Sequence, residues 1–578
     1  MGQSGIAGSQ GSGRAVVVLA PRFMYIPRFG GETLEAKLQV MTNRGVAASL
    51  TNLDTIVNSP LAEPPLSRGL QSAGPMAAYY LESFLKRRGY RAVSVVDWES
   101  RESIEAAMRC DPFAVLLSTT FITDPDVLVA CLRELRAVVG MTPVLVGGPF
   151  VYKQAKLLRR GADSRRARSL AAFSVDESKH LLFSDLRDPV LDDCIFVAAP
   201  CGEHTALAVL ERLERGAREV DELFGIPNLV LKSSTHGWRE TGRSPELVDL
   251  DAEYTRWDLL DEIPSVVPVR TALGCDGKCR FCGFRTLHPH LVLRNIDSVV
   301  AEMRLAAARG GVFFNFVDDD LFVSEGRGRA LAESIMRAEL NVMWGGFLRP
   351  DRVTEGDARI VVASGFTFGI AGMESGSSAQ LARMGKEMDP AAAVRGIEAL
   401  TASGARIDLS FIVGFPGETE ETLDATAALL NGLSRGGKGY AFFELFPFVL
   451  LAGTIADTPR FRRTYGITGR GASWAHATMN AAEVISRYVP YLFKRVPKTP
   501  YHHENDQPGW WTPARRDQAF EVRSRLACAF LDGADDQEIQ ARFEDLFLSV
   551  ADPQRLGAVP PWREVLADRS AQPSRTVR

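Results

Sequence analysis

The sequence predicts an α/β protein: two successive runs of strand–helix repeats, followed by a mostly helical C-terminal region. Three observations predict it. Short apolar segments alternate with helical periodicity from residue 15 to about 235. The alternation returns from about 266 to 448, and beyond 450 it gives way to mixed, aromatic-rich sequence. Apolar strands that alternate with helices belong to parallel sheets covered on both faces. The 578 residues are 46% hydrophobic and 24% charged, an ordinary globular composition. At roughly 150 residues per domain, about three or four domains are expected. With 67 basic against 71 acidic residues, no whole-protein basic footprint for nucleic acid exists.

The elements follow in order. Residues 1–14 are rich in Gly, Ser and Gln, which predicts a disordered tail and not a signal peptide. Ala15–Ala20 reads as a buried strand, and residues 74–88 as a helix that Gly89 ends. Strand Arg91–Asp97, helix Ser103–Arg109, strand Phe113–Ser118, helix Asp126–Val139 and strand Pro143–Gly148 continue a doubly wound, Rossmann-like sheet. Residues 151–193 break the rhythm. Their first part, 153–168, holds Lys153, Lys156, Arg159, Arg160, Arg165, Arg166 and Arg168 against a single acid, Asp163, and the rest is more acidic. This stretch is either a solvated helical insertion or a surface for an anionic partner. Strand Cys194–Ala199 resumes, then Pro200-Cys201-Gly202-Glu203 and a helix to about Arg215. The first domain is expected over 15–235.

The second region, 236–449, has strands near Val266–Leu273, Gly311–Val317, Asn341–Phe347, Thr367–Ala371, Arg406–Val413 and Tyr440–Phe448. Helices such as Asp297–Ala308, Arg327–Ala338, Pro390–Ala402 and Glu418–Leu433 fit between them. Six such units in series predict a partial (β/α)6 barrel, with its chemistry at the strand C-terminal ends. The apolar window Tyr440–Ala456 holds Glu444 and Pro447, so it reads as a buried strand and loop rather than a membrane span. Residues 450–568 form a C-terminal domain expected to cover the substrate, and 569–578 a polar tail.

The chemistry starts at Cys275, Cys279 and Cys282. Eight cysteines are too few for a disulfide scaffold, yet three fall within eight residues, spaced C-x3-C-x2-C directly after the first barrel-like strand. Three thiolates on one glycine-rich loop can hold three irons of a 4Fe–4S cluster and leave the fourth iron open. The alternative is zinc, which His288 and His290 could help to complete.

The loop, with aromatic Phe281 before its last cysteine, resembles the signature of the radical S-adenosylmethionine (radical SAM) superfamily. Further segments are similar to that family's in order. They are Phe314–Phe322 (FNFVDDDLF), Arg349-Pro350-Asp351, Gly372-Met373-Glu374-Ser375-Gly376, Met384-Gly385-Lys386, and Phe411-Ile412-Val413-Gly414-Phe415-Pro416-Gly417-Glu418. The resemblance implies a 4Fe–4S cluster on the three cysteines and S-adenosylmethionine held near Phe281, Asp318, Arg349, Glu374, Ser375 and Ile412. Single residues keep a second reading. Asp318, Asp319 and Asp320 could cap a helix. Glu374 could pair with Arg349 or Lys386. Glu418 could be a first-turn helix acid, and Met373 and Met384 could be core.

The region before the cysteines resembles the cobalamin-binding domain of the cobalamin-dependent radical SAM group, of the class B methyltransferase type. Ligands of open parallel sheets bind beyond the strand C-terminal ends. That places the corrin near Ser118, Thr119, Thr120, Gly147, Gly148, Gly202 and Glu203, with Arg68 facing it from the loop that holds Pro64 and Pro65. No D-x-H-x-x-G loop is present, so no histidine of this type is expected on the lower face of the cobalt. The G-x-G-x-x-G of a dinucleotide fold is missing after the first strand, where Pro21-Arg22-Phe23 follows.

The resemblance implies a methyltransferase that moves a methyl group from S-adenosylmethionine, via methylcobalamin, to a carbon of a small molecule or of an amino acid or peptide natural-product precursor. Tyr501, His502 and His503, with Glu504, Trp510 and Trp511, are candidates for the substrate wall, the two histidines alternatively being surface residues. A flavodoxin or ferredoxin would supply electrons, the protein would be cytoplasmic, and neither membrane nor nucleic acid would be a partner. Two other readings are a cobalamin-dependent radical SAM enzyme that forms, contracts or rearranges a ring without net methylation, and a non-enzymatic metal-binding protein that contacts RNA. Replacing Cys275, Cys279 and Cys282 together with Ala should abolish the brown iron–sulfur absorption and all turnover. Cobalamin retention, read from the visible spectrum after gel filtration, should persist.

Overall fold

The computed structural model describes residues 15–20, 28–29, 32–33 and most of 75–496. Within the last span, 97–100, 163–180, 184–187, 234–236 and the single positions 123, 218, 247, 265, 289, 325 and 436 are not described. The expected tails 1–14 and 569–578, Arg68 and its prolines, the basic positions Arg165, Arg166 and Arg168, and the stretch from Tyr501 to Trp511 lie outside the described residues. Contacts divide the chain into two units.

The first unit holds a mostly parallel sheet of β1 (Ala15–Leu19), β2 (Arg91–Val95), β3 (Ala114–Ser118), β4 (Val144–Gly147), β5 (Cys194–Val197), β6 (Leu229–Ser233) and β7 (Gly237–Glu240). Its order is β2-β1-β3-β4-β5-β6-β7. The pairings from β2 through β5 are parallel, and β6 and β7 close the edge as an antiparallel hairpin. Val17 and Leu19 of β1 face one core, and Val16 and Val18 face another. Period-two alternation with both faces buried is why the strand reads as an unbroken apolar run.

Helices α1 (Met76–Lys86), α2 (Arg101–Met108), α3 (Pro125–Val139), α4 (Pro149–Ala162) and α5 (Glu203–Glu214) cover these faces. Ile104 and Leu128 belong to the core of Val17, Phe84 and Val209 to that of Val16. Asp124 caps α3 through Asp126 N–H, with Pro125 in the first turn, and Gly140 ends the helix. The strand order reverses between β1 and β3, and such a switch point opens a crevice beyond the strand ends. The basic stretch at 151–162 continues α4.

Val266–Val269, β8, and Ile296–Ala307, α6, also group with this unit by contacts. The single strand expected over 266–273 is β8 followed by a two-residue strand, Ala272–Leu273, paired antiparallel with Val292–Leu293.

The second unit carries β9 (Phe313–Phe316), β10 (Met343–Leu348), β11 (Phe366–Glu374), β12 (Arg406–Val413) and β13 (Tyr440–Pro447), parallel and adjacent in chain order. Between them run α7 (Arg327–Arg337), α8 (Glu355–Ala363), α9 (Ser378–Met384), α10 (Pro390–Ser403) and α11 (Glu420–Gly432). Trp344 locks β10 in place. Its ring meets Phe316 and Phe366 edge-on at 5.5 and 5.0 Å, and its indole N–H donates to the Ser364 carbonyl at 3.2 Å. Gly345 stands at the register shift between β10 and β11, where a Cβ would lie 2.0 Å from the Phe368 carbonyl oxygen. After β13 come a short helix (Pro459–Tyr465), a hairpin (Thr468–Arg470 with Ser473–Ala475) and a helical run from Ala481 to Lys494. No helix of the described residues is long and apolar enough to cross a membrane.

Candidate active site

The segment Cys275–Arg285 belongs to the second unit. From Cys275 to Cys282 it has no helix or strand, so its shape is set by what it touches. Gly277 N–H donates to Cys275 Sγ at 3.3 Å. A Cβ on Gly277 would lie 3.3 Å from Cys275 Sγ and 3.8 Å from Cys279 Sγ, so two sulfurs gather around one point. The amide of Cys282 turns back to the Cys279 carbonyl at 3.4 Å. All three cysteines are half-buried. Burial pushes the Cys279 thiol up to about 11, with Lys386 pulling the other way, and burial also raises Cys275. Thiols in this state ionise when a cation binds them, which is the chemistry of a metal ligand set.

Three anchors hold the loop. The first is the Met384-Gly385-Lys386 turn. Arg280 N–H donates to the Met384 carbonyl at 2.8 Å and Arg280 Nη1 to the Arg383 carbonyl at 2.8 Å. Gly385 sits at φ +68°, and a Cβ there would be 2.8 Å from the Lys278 carbonyl oxygen. The second is Arg352, just past β10. It grips Asp276 with two bonds of 2.9 and 2.7 Å, Asp320 at 3.0 Å and the Val323 carbonyl at 2.8 Å. The third is aromatic: Phe281 meets Phe415 edge-on at 6.3 Å. Oxygens of Asp276 and Asp320 lie with Cys275 Sγ within 4.8 Å of one another.

The carboxylates differ in their partners. Asp320 is 2% exposed and also accepts Phe322 N–H and Arg349 N–H at 3.0 and 3.1 Å. Burial pushes it up to about 6 against the pull of Arg352. The expected residue Asp318 is buried as well, Asp319 is exposed, and the bonds to the Arg352 brace belong to Asp320. Arg349 forms a fork with Asp351 at 3.1 and 2.8 Å and also bonds the Glu387 carbonyl. Glu374 ends β11 at φ +66°, a conformation rarely held by a residue with a side chain, and pairs with buried Lys386 at 3.0 Å. Its ion-pair partner is thus Lys386 and not Arg349. Ser375 is buried, its Oγ 3.4 Å from Thr426 Oγ1, and Ile412 is half-exposed on β12. Met373 and Met384 are buried core.

Glu418 is not a first-turn helix acid. Thr419 caps α11, and Glu418 before it folds inward to 1% exposure, where it accepts Gly414 N–H. Burial pushes it up to about 8, opposed by the Gly414 and Phe415 amides. Nothing in the sequence singled out His476, which holds the same turn from the other side. Its Nδ1 accepts Thr478 and Met479 amides at 3.3 Å each, so Nε2–H donates to the Gly414 carbonyl at 3.0 Å, and its ring stacks on Trp474 at 4.9 Å. Arg352 was equally invisible as an anchor, its only signal being its place beside Arg349-Pro350-Asp351, whereas Lys386 was one of the two expected partners of Glu374.

In the first unit, Ser118 Oγ lies 2.9 Å from Thr120 Oγ1, and Thr119 donates from N and Oγ1 to the Gly147 carbonyl at 2.8 and 2.7 Å. A Cβ on Gly148, at φ +108°, would lie 3.0 Å from Thr119 Oγ1, and one on Gly202 2.7 Å from Val197 Cγ1. Small residues are therefore needed here for the strand ends to pack on each other. Glu203 is buried in the first turn of α5. Tyr501, His502, His503 and Arg68 lie outside the described residues.

Three half-buried thiols on one loop, braced by segments that follow parallel strands, form a set of donors that could hold a metal centre. Residues 269–430 match the family model of the Radical SAM superfamily. The match covers this region of the chain, and the radical SAM family implies a 4Fe–4S cluster and S-adenosylmethionine as cofactors. The gathered sulfurs of Cys275 and Cys279 around side-chain-free Gly277 fit such a cluster.

Among curated proteins, the chain is 24% identical over 228 residues to the anaerobic magnesium-protoporphyrin IX monomethyl ester cyclase of Rubrivivax gelatinosus. That match covers 38% of this chain and 41% of the cyclase, so the chain spans less than half of that relative's length. Among solved structures, the radical S-adenosylmethionine methyltransferase TsrM of Kitasatospora setae, with tryptophan substrate and a SAM analogue bound, aligns at TM-score 0.54 and 14% identity over 92% of this chain and 99% of that one. The cobalamin-dependent S-adenosylmethionine radical enzyme OxsB, with aqua-cobalamin and S-adenosylmethionine bound, aligns at TM-score 0.53 and 13% identity over 97% of this chain and 80% of that one. At these identities the two structures share the fold.

Two outcomes follow from the anchors. Gly385→Ala adds about 1–2 kcal/mol of left-handed strain and meets the Lys278 carbonyl. It should lower iron and sulfide content after reconstitution, while the circular dichroism spectrum stays that of the parent. Glu418 keeps its proton in the folded state up to about pH 8 but loses it near its ordinary value of 4.5 when unfolded. Its favourable contribution is therefore full below pH 4.5 and fades as pH rises through 8. Glu418→Gln should remove that part of the stability loss, so the variant gains on the parent between pH 5.5 and 8.5 in urea denaturation midpoints.

Proposed function

We propose that this protein is a cobalamin-dependent radical SAM methyltransferase that places a methyl group on a carbon of a small molecule, or of an amino acid or peptide natural-product precursor. The observation that carries the reading is one chain with two parts in series: a doubly wound parallel sheet with a switch point, then the three-cysteine loop and its parallel strands. The likeness to OxsB, whose structure holds aqua-cobalamin, supports cobalamin at the first sheet, and the likeness to TsrM supports methyl transfer.

In this reading residues 15–235 bind cobalamin, 236–449 form the radical SAM domain and 450–568 cover the substrate. Cys275, Cys279 and Cys282 hold the cluster. Phe281, Asp318, Arg349, Glu374, Ser375 and Ile412 contact S-adenosylmethionine. Ser118, Thr119, Thr120, Gly147, Gly148, Gly202, Glu203 and Arg68 line the corrin side, and Tyr501, His502 and His503 face the substrate. When bound, the cluster supplies the electron for cleaving S-adenosylmethionine and the cobalamin carries the methyl group. The chain's own part is to fix positions and exclude water. The Arg352 and Gly385 anchors hold the sulfurs, and the Lys386 pair orients the strained Glu374 carboxylate. A flavodoxin or ferredoxin in the cytoplasm serves as reductant.

The likeness to a cyclase favours a second reading, ring formation or oxidative rearrangement without net methylation. Anaerobic incubation with hydroxocobalamin, a reductant and S-adenosylmethionine carrying a deuterated methyl group separates the two. The substrate pool should contain tryptophan, other amino acids and extract of the producing cell. Mass spectrometry should find one substrate that gains a labelled methyl group, matched by S-adenosylhomocysteine. Consumption of S-adenosylmethionine with an unlabelled, dehydrogenated or isobaric product would replace the methyltransferase reading with the second.

A further inference from the structure

Buried carboxylates in the first unit generally have partners. Glu302 bonds Arg294 and the Trp257 indole, and Glu82 accepts Ser94 N–H and pairs with Lys86. Glu203 breaks the pattern. It is 8% exposed, in the first turn of α5 just beyond the C-terminal end of β5, and its Oε2 has no hydrogen-bond partner among the described residues. Tyr80, on α1, is 4% exposed, and its hydroxyl is likewise unpartnered. The Arg270 guanidinium lies 5.0 Å above the Tyr80 ring. The three share one neighbourhood: Phe84, one turn after Tyr80 on α1, meets the ring of His204, the residue after Glu203, edge-on at 5.4 Å, and after burial Glu203 raises and Arg270 lowers both the Tyr80 phenol and the Cys201 thiol. Two orphaned buried oxygens in one place cost stability and call for a ligand that satisfies them.

We propose that Glu203, Tyr80 and Arg270 form a carboxamide-binding edge that takes the amide side chains at the rim of a corrin. The chemistry selects this ligand class. A carboxylate accepts amide N–H, while a phenol and a guanidinium donate to the amide carbonyl. The place is the C-terminal edge of a parallel sheet, where such folds bind ligands. Tyr80 and Arg270 thereby join the binding residues. The inference rests on the cobalamin reading above.

The test is equilibrium dialysis of hydroxocobalamin against the full-length, reconstituted protein, its Glu203→Gln, Glu203→Ala and Tyr80→Phe variants, and a cobalamin in which one side-chain amide is hydrolysed to the acid. Glu203→Ala and Tyr80→Phe should each weaken cobalamin binding about tenfold, the size of one or two lost hydrogen bonds. Iron content should not change, and the apoprotein melting temperature should stay level or rise, because an unsatisfied group is gone. The parent should discriminate against the acid derivative, and Glu203→Gln should shrink that discrimination. Variants that bind both cobalamins like the parent, or that melt lower with affinity unchanged, overturn the inference and leave the cobalamin reading standing. A parent protein that retains no cobalamin overturns both.

Discussion

The structure depends on holding three half-buried thiols together on a loop that has no secondary structure of its own. A helix or strand would fix the backbone by a repeating ladder of hydrogen bonds, and Cys275–Cys282 forms neither, with only the bonds of Gly277 N–H to Cys275 Sγ and of Cys282 N–H to the Cys279 carbonyl inside it. Its geometry is borrowed from segments distant in sequence. The turn at Gly385 lies against the Lys278 carbonyl, and the Arg352 guanidinium joins Asp276 to Asp320. A guanidinium suits this task because its planar fork can serve two carboxylates and a carbonyl at once. The loop and the ends of the strands therefore form one cooperative piece, and disturbing any anchor reaches the sulfurs.

Three buried glutamates show how differently one side chain can be accommodated. Glu374 pairs with Lys386 at 3.0 Å, on a strained backbone that the surrounding bonds over-determine. Glu418 finds no cation among the described residues, only the amides of the Gly414–Phe415 turn, and burial favours its neutral form. Glu203 has one oxygen with no hydrogen-bond partner among the described residues. The first two sit in the second unit and lock its turns. The third sits at the strand ends of the first unit, where no described residue bonds that oxygen.

The alternation of apolar strands and helices was legible in the sequence because burial on both faces of a parallel sheet leaves an uninterrupted β-branched run, as in Ala15–Leu19. Strand ends fell within a few residues of expectation, Arg406–Val413 among them. The cysteine loop was legible because a metal ligand set with short spacing is local. What was not legible was everything that acts across the chain. Arg352 and His476 carried no signal, Lys386 was one of two candidate partners for Glu374, and Glu418 could equally be a helix acid, whereas its carboxyl folds inward.

By itself the sequence determined the two strand–helix runs and the donor set, since periodicity and ligand spacing are properties of neighbouring residues. The tertiary structure alone decided which cation meets which carboxylate, which strand reverses the sheet order, and which buried oxygens are left without partners. Those are relations between residues tens to hundreds of positions apart, and desolvation, which sets their energies, exists only once the chain has packed.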